Sequence, residues 1–138
     1  MNPLRTVEET LEAGRRLAEG LNAGDVLGLD GDLGAGKTHL VKGIAAGLGF
    51  VGDVTSPTFT LLQEYRGGRL DLYHADWYRV ASDRELAVLG LDEWLDAGGV
   101  TVIEWAGKFP GALPARTRWL RVRIAGDGSR RIEEGGAA

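Results

Sequence analysis

The run Gly31-Asp32-Leu33-Gly34-Ala35-Gly36-Lys37-Thr38 constrains this chain more than any other feature. It fits G-x-x-x-x-G-K-[ST], and each part has a job. Glycines let backbone N–H groups turn inward around phosphate oxygens with no Cβ in the way. The lysine reaches the β and γ phosphates, and the hydroxyl of the last residue ligates magnesium. A helix starting there adds unpaired N–H groups and a positive dipole end. The chain has 22 glycines in 138 residues. Even so, chance supplies on the order of 0.006 matches to the pattern. A glycine-rich turn before a helix is therefore the weaker account. The flanks agree. Val26-Leu27-Gly28-Leu29 reads as a short buried strand, and Thr38 to Leu48 carries Leu40, Val41, Ile44 and Leu48 on one helical face. These residues call for a nucleoside triphosphate with magnesium, held by Gly34, Ala35, Gly36, Lys37 and Thr38. His39 follows directly, with its ring near the α-phosphate or facing solvent.

Around that unit the pattern alternates. Thr6 and Glu9 have capping-box spacing, and apolar residues then repeat at helical spacing from Val7 to Leu21. Phe59–Tyr65 and Leu70–Ala75 read as strands of a hairpin joined by Arg66-Gly67-Gly68-Arg69. Ser82 to Glu85 is a second capping box before a short helix through Leu89, and Leu91–Leu95 is another turn or two. Val100-Thr101-Val102-Ile103 is a β-branched strand ending at Glu104-Trp105. Gly107 to Pro114 reads as loop and Trp119–Ile124 as a last strand. Strands alternating with helices predict an α/β fold, a P-loop NTPase-like, mainly parallel sheet flanked by helices with an antiparallel hairpin added. Right-handed crossovers place Val26–Leu29 beside Val100–Ile103. Length suits one domain over 1–138, with a flexible tail from about residue 126.

Composition excludes several classes. There is no cysteine, so thiol nucleophiles and thiolate metal sites are ruled out, and a reducing compartment fits. No apolar run approaches the roughly 20 residues that span a bilayer, and the start lacks a signal-peptide core. A cytoplasmic location without membrane contact is expected. Net charge is −4, without the basic footprint of an autonomous nucleic-acid binder. Arg116, Arg118, Arg121 and Arg123 cluster late and read as a solvated edge strand.

Two acids carry the remaining chemistry. Glu104 closes a strand where an acid reaches magnesium in P-loop proteins, and a sheet-end salt bridge is the bland account of it. Asp76 lies among aromatics, three residues before Arg79. It either positions an attacking or metal-bound water, or pairs with Arg79. His74 reads as a hydrogen-bonded structural residue, and Trp105 as packing over the site or in the core.

The glycine loop, then Ser56-Pro57-Thr58, Tyr73-His74-Ala75-Asp76-Trp77-Tyr78-Arg79 and Ile103-Glu104-Trp105, in that order and spacing, resemble the TsaE family. These are small bacterial ATPases needed for threonylcarbamoyladenosine in tRNA. The likeness runs from about Thr6 to Arg130. It implies Mg2+ with ATP as ligand, TsaB- and TsaD-like proteins as partners, and tRNA reached only through that complex. By position it implies Thr38 and Glu104 as metal ligands, Lys37 on the phosphates and Asp76 as the catalytic, water-orienting acid. Ser56-Pro57-Thr58 becomes a switch-like segment, Arg130 a late arginine near the nucleotide, and the helix start at Thr6 and Val7 a wall for adenine. His39 stands where the family often has a second threonine, and Gly107 where it often has an acid. A small-molecule phosphotransferase and a non-hydrolysing nucleotide-dependent binding module are the rival readings. The first lacks the arginine-rich lid that excludes water from transfer.

Overall fold

The computed structural model describes residues 3–31, 36–52 and 62–135. Its strands are β1 (Val26–Gly31), β2 (Leu62–Tyr65), β3 (Leu72–Asp76), β4 (Val100–Glu104), β5 (Arg118–Ile124) and β6 (Arg130–Glu134). Its helices are α1 (Val7–Glu19), α2 (Lys37–Gly47), α3 (Asp83–Val88) and α4 (Leu91–Leu95). The strands form one sheet in the order β2-β3-β4-β1-β5-β6. The four middle strands are parallel, and β2 and β6 run antiparallel at the two edges.

The central strands follow from their composition. All five residues of β4 are buried, which a β-branched run tolerates when helices cover both faces. As expected, β4 lies beside β1, in register from Val26↔Thr101 to Leu29↔Glu104. One face packs under α1 and α2, with Leu27, Leu29, Leu40, Ile44, Val102, Leu120 and Val122 in a continuous core. The other face packs Tyr73, Ala75 and Ile103 against Trp77, Leu86, Leu91 and Trp94. Each fully buried Leu or Ile contributes about 1.5–3 kcal/mol.

Helix α1 starts as its sequence predicts. Thr6 Oγ1 accepts the Glu9 N–H at 3.1 Å, and the Glu9 carboxylate accepts the Arg5 N–H at 3.5 Å. The second capping box forms only in part. Ser82 is the N-cap of α3, but its side chain makes no cap bond, and the Glu85 N–H goes to the Ser82 carbonyl. The contact between α1 and α2 is set by small residues. A Cβ on Gly14 would stand 2.4 Å from the Leu40 carbonyl oxygen, and one on Gly43 would stand 2.1 Å from that of Leu11. Only glycine allows backbones this close.

Three expectations are corrected. Residues after 126 do not begin a flexible tail. Asp127 and Ser129 build a turn, β6 pairs with β5 from Ile124↔Arg130 to Leu120↔Glu134, and Ile132 enters the core. The two Ser129 hydrogen bonds also lower the Asp127 carboxyl to a pKa of about 2. The arginine cluster is not an edge strand either, since β6 covers β5. Arg118 and Arg123 pair with Glu134 and Glu133 of β6 at 3.0 and 2.7 Å. Arg116 instead donates to the backbone carbonyls of Gly24 and Leu95. Finally, the expected loop after Gly107 contains two short 3-10 turns, Ala106–Lys108 and Pro110–Ala112. The readings placed on Gly34, Ala35, Ser56-Pro57-Thr58 and the start of the Phe59 strand lie outside the described residues. Among the described residues, no helix is long and apolar enough to cross a membrane.

Candidate functional site

Parallel strands deliver their C-terminal residues to one edge of the sheet, and ligands of open α/β sheets bind outside that edge. Here β1, β3 and β4 end at Gly31, Asp76 and Glu104. Asp76 and Glu104 are register partners on neighbouring strands, and Glu104 is also the partner of Leu29. Gly31 has φ 143° and lies so close to β5 that a Cβ would stand 2.3 Å from the Val122 carbonyl oxygen. The first glycine of the motif is thus needed for strand packing.

Helix α2 opens over this edge. Its N-cap is Gly36 at φ 96°, a left-handed conformation suited to glycine, and no side chain caps its first turn. Lys37 is 5% exposed. Its Nζ donates to the Gly31 carbonyl at 2.6 Å and sits 3.7 Å from the centroid of the Trp105 ring. Trp105 itself adopts φ 60°, the one non-glycine residue with positive φ among those described. That conformation costs a side-chain-bearing residue about 1–2 kcal/mol. It swings the indole from the end of β4 over the lysine, with the Tyr78 ring 5.1 Å away.

The two acids are held differently. Asp76 Oδ1 accepts the Tyr78 N–H at 2.8 Å, a local turn that fixes the carboxylate. Glu104 is 3% exposed and its Oε2 meets His74 Nε2 at 2.6 Å. His74 is fully buried inside β3, two residues before Asp76 and hence on the same face of the strand.

A cleft of about 390 Å³ joins these groups, within the range of small-molecule sites. Gly36, Lys37, Thr38, His39, Asp76, Glu104 and Trp105 line it together with Leu4 to Val7, Thr10 and Arg130. The second group is brought there by tertiary contacts. Leu4 and Arg130 exchange two backbone hydrogen bonds of 2.7 Å, tying the start of α1 to β6. The structure therefore brings together Lys37, Thr38, His39, Asp76, Glu104, Val7 and Arg130. It separates Arg130 from its neighbour, since Arg130 is half-buried at the cleft while Arg131 is exposed opposite Arg123. The Arg130 guanidinium donates to the Gly128 carbonyl at 2.6 Å. Sequence reasoning missed the His74–Glu104 contact and the role of β6. For β6 a signal existed, because Gly126-Asp127-Gly128-Ser129 is a turn sequence directly after a strand.

Residues 4–132 match the family model described as "Threonylcarbamoyl adenosine biosynthesis protein TsaE". The chain belongs to the TsaE family. It is 46% identical over 130 residues to the "tRNA threonylcarbamoyladenosine biosynthesis protein TsaE" of Bacillus subtilis, covering 93% of this chain and 81% of that protein. To the Treponema pallidum protein of the same name it is 44% identical over 128 residues, covering 93% and 94%. Its structure is similar to the crystal structure of Bacillus subtilis YdiB, with a TM-score of 0.84 and 38% identity over 99% of this chain and 84% of that one. Membership of the TsaE family assigns the chain to tRNA threonylcarbamoyladenosine biosynthesis.

Proposed function

We propose that this chain binds ATP with magnesium in the cleft and hydrolyses it to support threonylcarbamoyladenosine formation, together with TsaB- and TsaD-like proteins in the cytoplasm. One observation carries the reading. A buried lysine at the start of a helix without a side-chain cap and two carboxylates on adjacent strand ends line one nucleotide-sized cleft. Lys37 supplies the fixed positive charge for the β and γ phosphates. It leaves the Gly31 carbonyl and the Trp105 face for them, exchanging contacts of a charge with a dipole and a ring for stronger ones between opposite charges.

The donors fit a magnesium ion. The Thr38 hydroxyl and the Glu104 carboxylate are hard oxygen ligands, the class that magnesium takes. Among the described residues no group of three or more His, Cys, Asp or Glu could hold a metal by itself. Magnesium keeps several waters and shares substrate phosphates as ligands, so it needs only one or two side-chain oxygens. When bound, magnesium neutralises charge that develops on the transferring phosphoryl oxygens. Thr38 and Glu104 would hold it. Asp76, oriented by the Tyr78 N–H, accepts a hydrogen bond from the attacking water and aligns it with the γ-phosphorus. Val7 and Arg130 flank the nucleoside side.

The experiment is steady-state phosphate release by the pure chain, then with TsaB- and TsaD-like subunits added, with Lys37→Ala as the blank. The chain alone should be slow, because this reading leaves completion of the transition-state shell to a partner. An arginine supplied by a partner is worth about 10³–10⁵ in related enzymes. Activity should rise on assembly and vanish in the blank. Brisk turnover alone, unmoved by the partners, points to an autonomous enzyme and overturns the assembly reading. Phosphate release that survives Lys37→Ala overturns the cleft as the site.

A further inference from the structure

His74 has no part in the chemistry above, yet it is the fully buried polar side chain nearest to it. It stands mid-strand in β3, opposite Val102 of β4 and Gln63 of β2. A polar ring there costs free energy unless its bonds are made. One is made: Nε2 to Glu104 Oε2 at 2.6 Å, reaching diagonally up the sheet from a site paired with Val102 to the strand end. The other ring nitrogen, Nδ1, is buried and has no hydrogen-bond partner among the described residues.

That orphan assigns the tautomer. If Nδ1 carried the proton, a buried N–H donor would lack an acceptor, and Nε2 would need Glu104 to be a protonated acid. If Nε2 carries it, Glu104 accepts as a carboxylate, and Nδ1 is only an unused acceptor. Orphaned buried donors are the rarer of the two. The ring therefore donates through Nε2. The Glu104 side chain has three torsions and would otherwise sample several rotamers at the strand end.

We propose that His74 is a positioning residue: its Nε2–H pins Oε2 of Glu104 and so aims the carboxylate at a divalent cation bound with the nucleotide in the cleft. This rests on the magnesium–ATP reading above. Such outer-shell partners of metal-binding carboxylates typically carry about 10–100-fold in metal affinity or activity.

The test compares His74→Asn with His74→Gln. The Gln amide places an N–H near the position of Nε2, while the Asn amide is one methylene short of Glu104. Both carry the same amide, and thermal unfolding of each variant checks that it folds before titration. ATP affinity is measured by calorimetry with magnesium and again with EDTA for both variants and the unmodified chain. The gain in affinity on adding magnesium should fall about tenfold or more in His74→Asn and persist in His74→Gln, with metal-free affinity equal in all three. Retention of the full gain by His74→Asn overturns the proposal. So does a parallel fall of metal-free and magnesium affinities, which marks a merely structural ring. No magnesium gain in the unmodified chain overturns the magnesium–ATP reading itself, and the proposal falls with it.

Discussion

Glu104 and Asp76 share a register but not an environment, and that difference separates their expected roles. Glu104 is buried and held by a buried imidazole, whereas the Asp76 carboxylate accepts the backbone N–H of Tyr78, two residues on. Truncating Glu104 to alanine would leave His74 Nε2 without a partner, at about 1–3 kcal/mol. The cleaner variants keep the hydrogen bonds. Glu104→Gln is expected to weaken Mg-ATP while leaving metal-free ATP binding intact. Asp76→Asn should keep Mg-ATP affinity and lose turnover in the assembled complex by about 10²–10⁴, the usual worth of a positioned acid–base group. Calorimetry with magnesium and with EDTA, followed by phosphate release, separates the two. Normal hydrolysis by Asp76→Asn would remove it from the chemistry and leave it a structural acid. Lys37 illustrates a different lesson. Its motif is plain in the sequence, but its resting contacts, the Gly31 carbonyl and the Trp105 ring, are not.

At the scale of elements, the site depends on where α2 sits, and α1 determines that. The two helices meet through Gly14, Gly43 and Gly47, each with neighbouring backbone where a Cβ would go. A backbone neighbour cannot rotate away as a side chain can. Gly14→Ala should therefore push α1 off α2 and lower stability by about 1–3 kcal/mol, the usual range for overpacking. Urea unfolding measures this, with Gly20→Ala as the control. At Gly20 the nearest atom would be 3.8 Å away, and a change within about 0.5 kcal/mol is expected there. Equal stability of the two variants would mean that the close crossing does not hold in solution. Gly14 falls in the helical repeat of Val7, Leu11 and Leu21, but periodicity does not reveal that it and Gly43 are where the two backbones touch.

For the molecule as a whole, the far ends of the chain build one wall of the cleft. Leu4 joins the start of α1 to Arg130 of β6, and β6 is held in turn by β5 and by Ile132 in the core. A chain ending at residue 125 should lose about 1.5–3 kcal/mol from Ile132 alone, and it should bind ATP more weakly because Leu4 and Arg130 no longer close the cleft. Thermal unfolding and ATP titration of that truncation test the point. Unchanged melting and affinity would show that β6 is an appendage. The cross-strand Arg118–Glu134 and Arg123–Glu133 pairs are exposed and contribute little by themselves.

Local pattern was enough wherever the physics is local. The β-branched run of β4, the apolar face of α2 and the Thr6–Glu9 cap were all legible, because hydrophobic periodicity and capping act within a few residues. The pairing of β1 with β4 was legible too, since crossover handedness leaves few alternatives. Lys37, Thr38 and Glu104 could be singled out from the glycine motif and the strand end, and they do line one cleft. Other features required contacts between residues far apart in the chain. His74 became the partner of Glu104 across 30 positions, and Arg130 rather than Arg131 turned to the cleft through a bridge to Leu4. The charged, Gly-flanked end of the chain became a strand because β5 offered it an unpaired edge and the core a place for Ile132. Such choices turn on hydrogen bonds and burial offered by distant segments, and no window of neighbouring residues contains them.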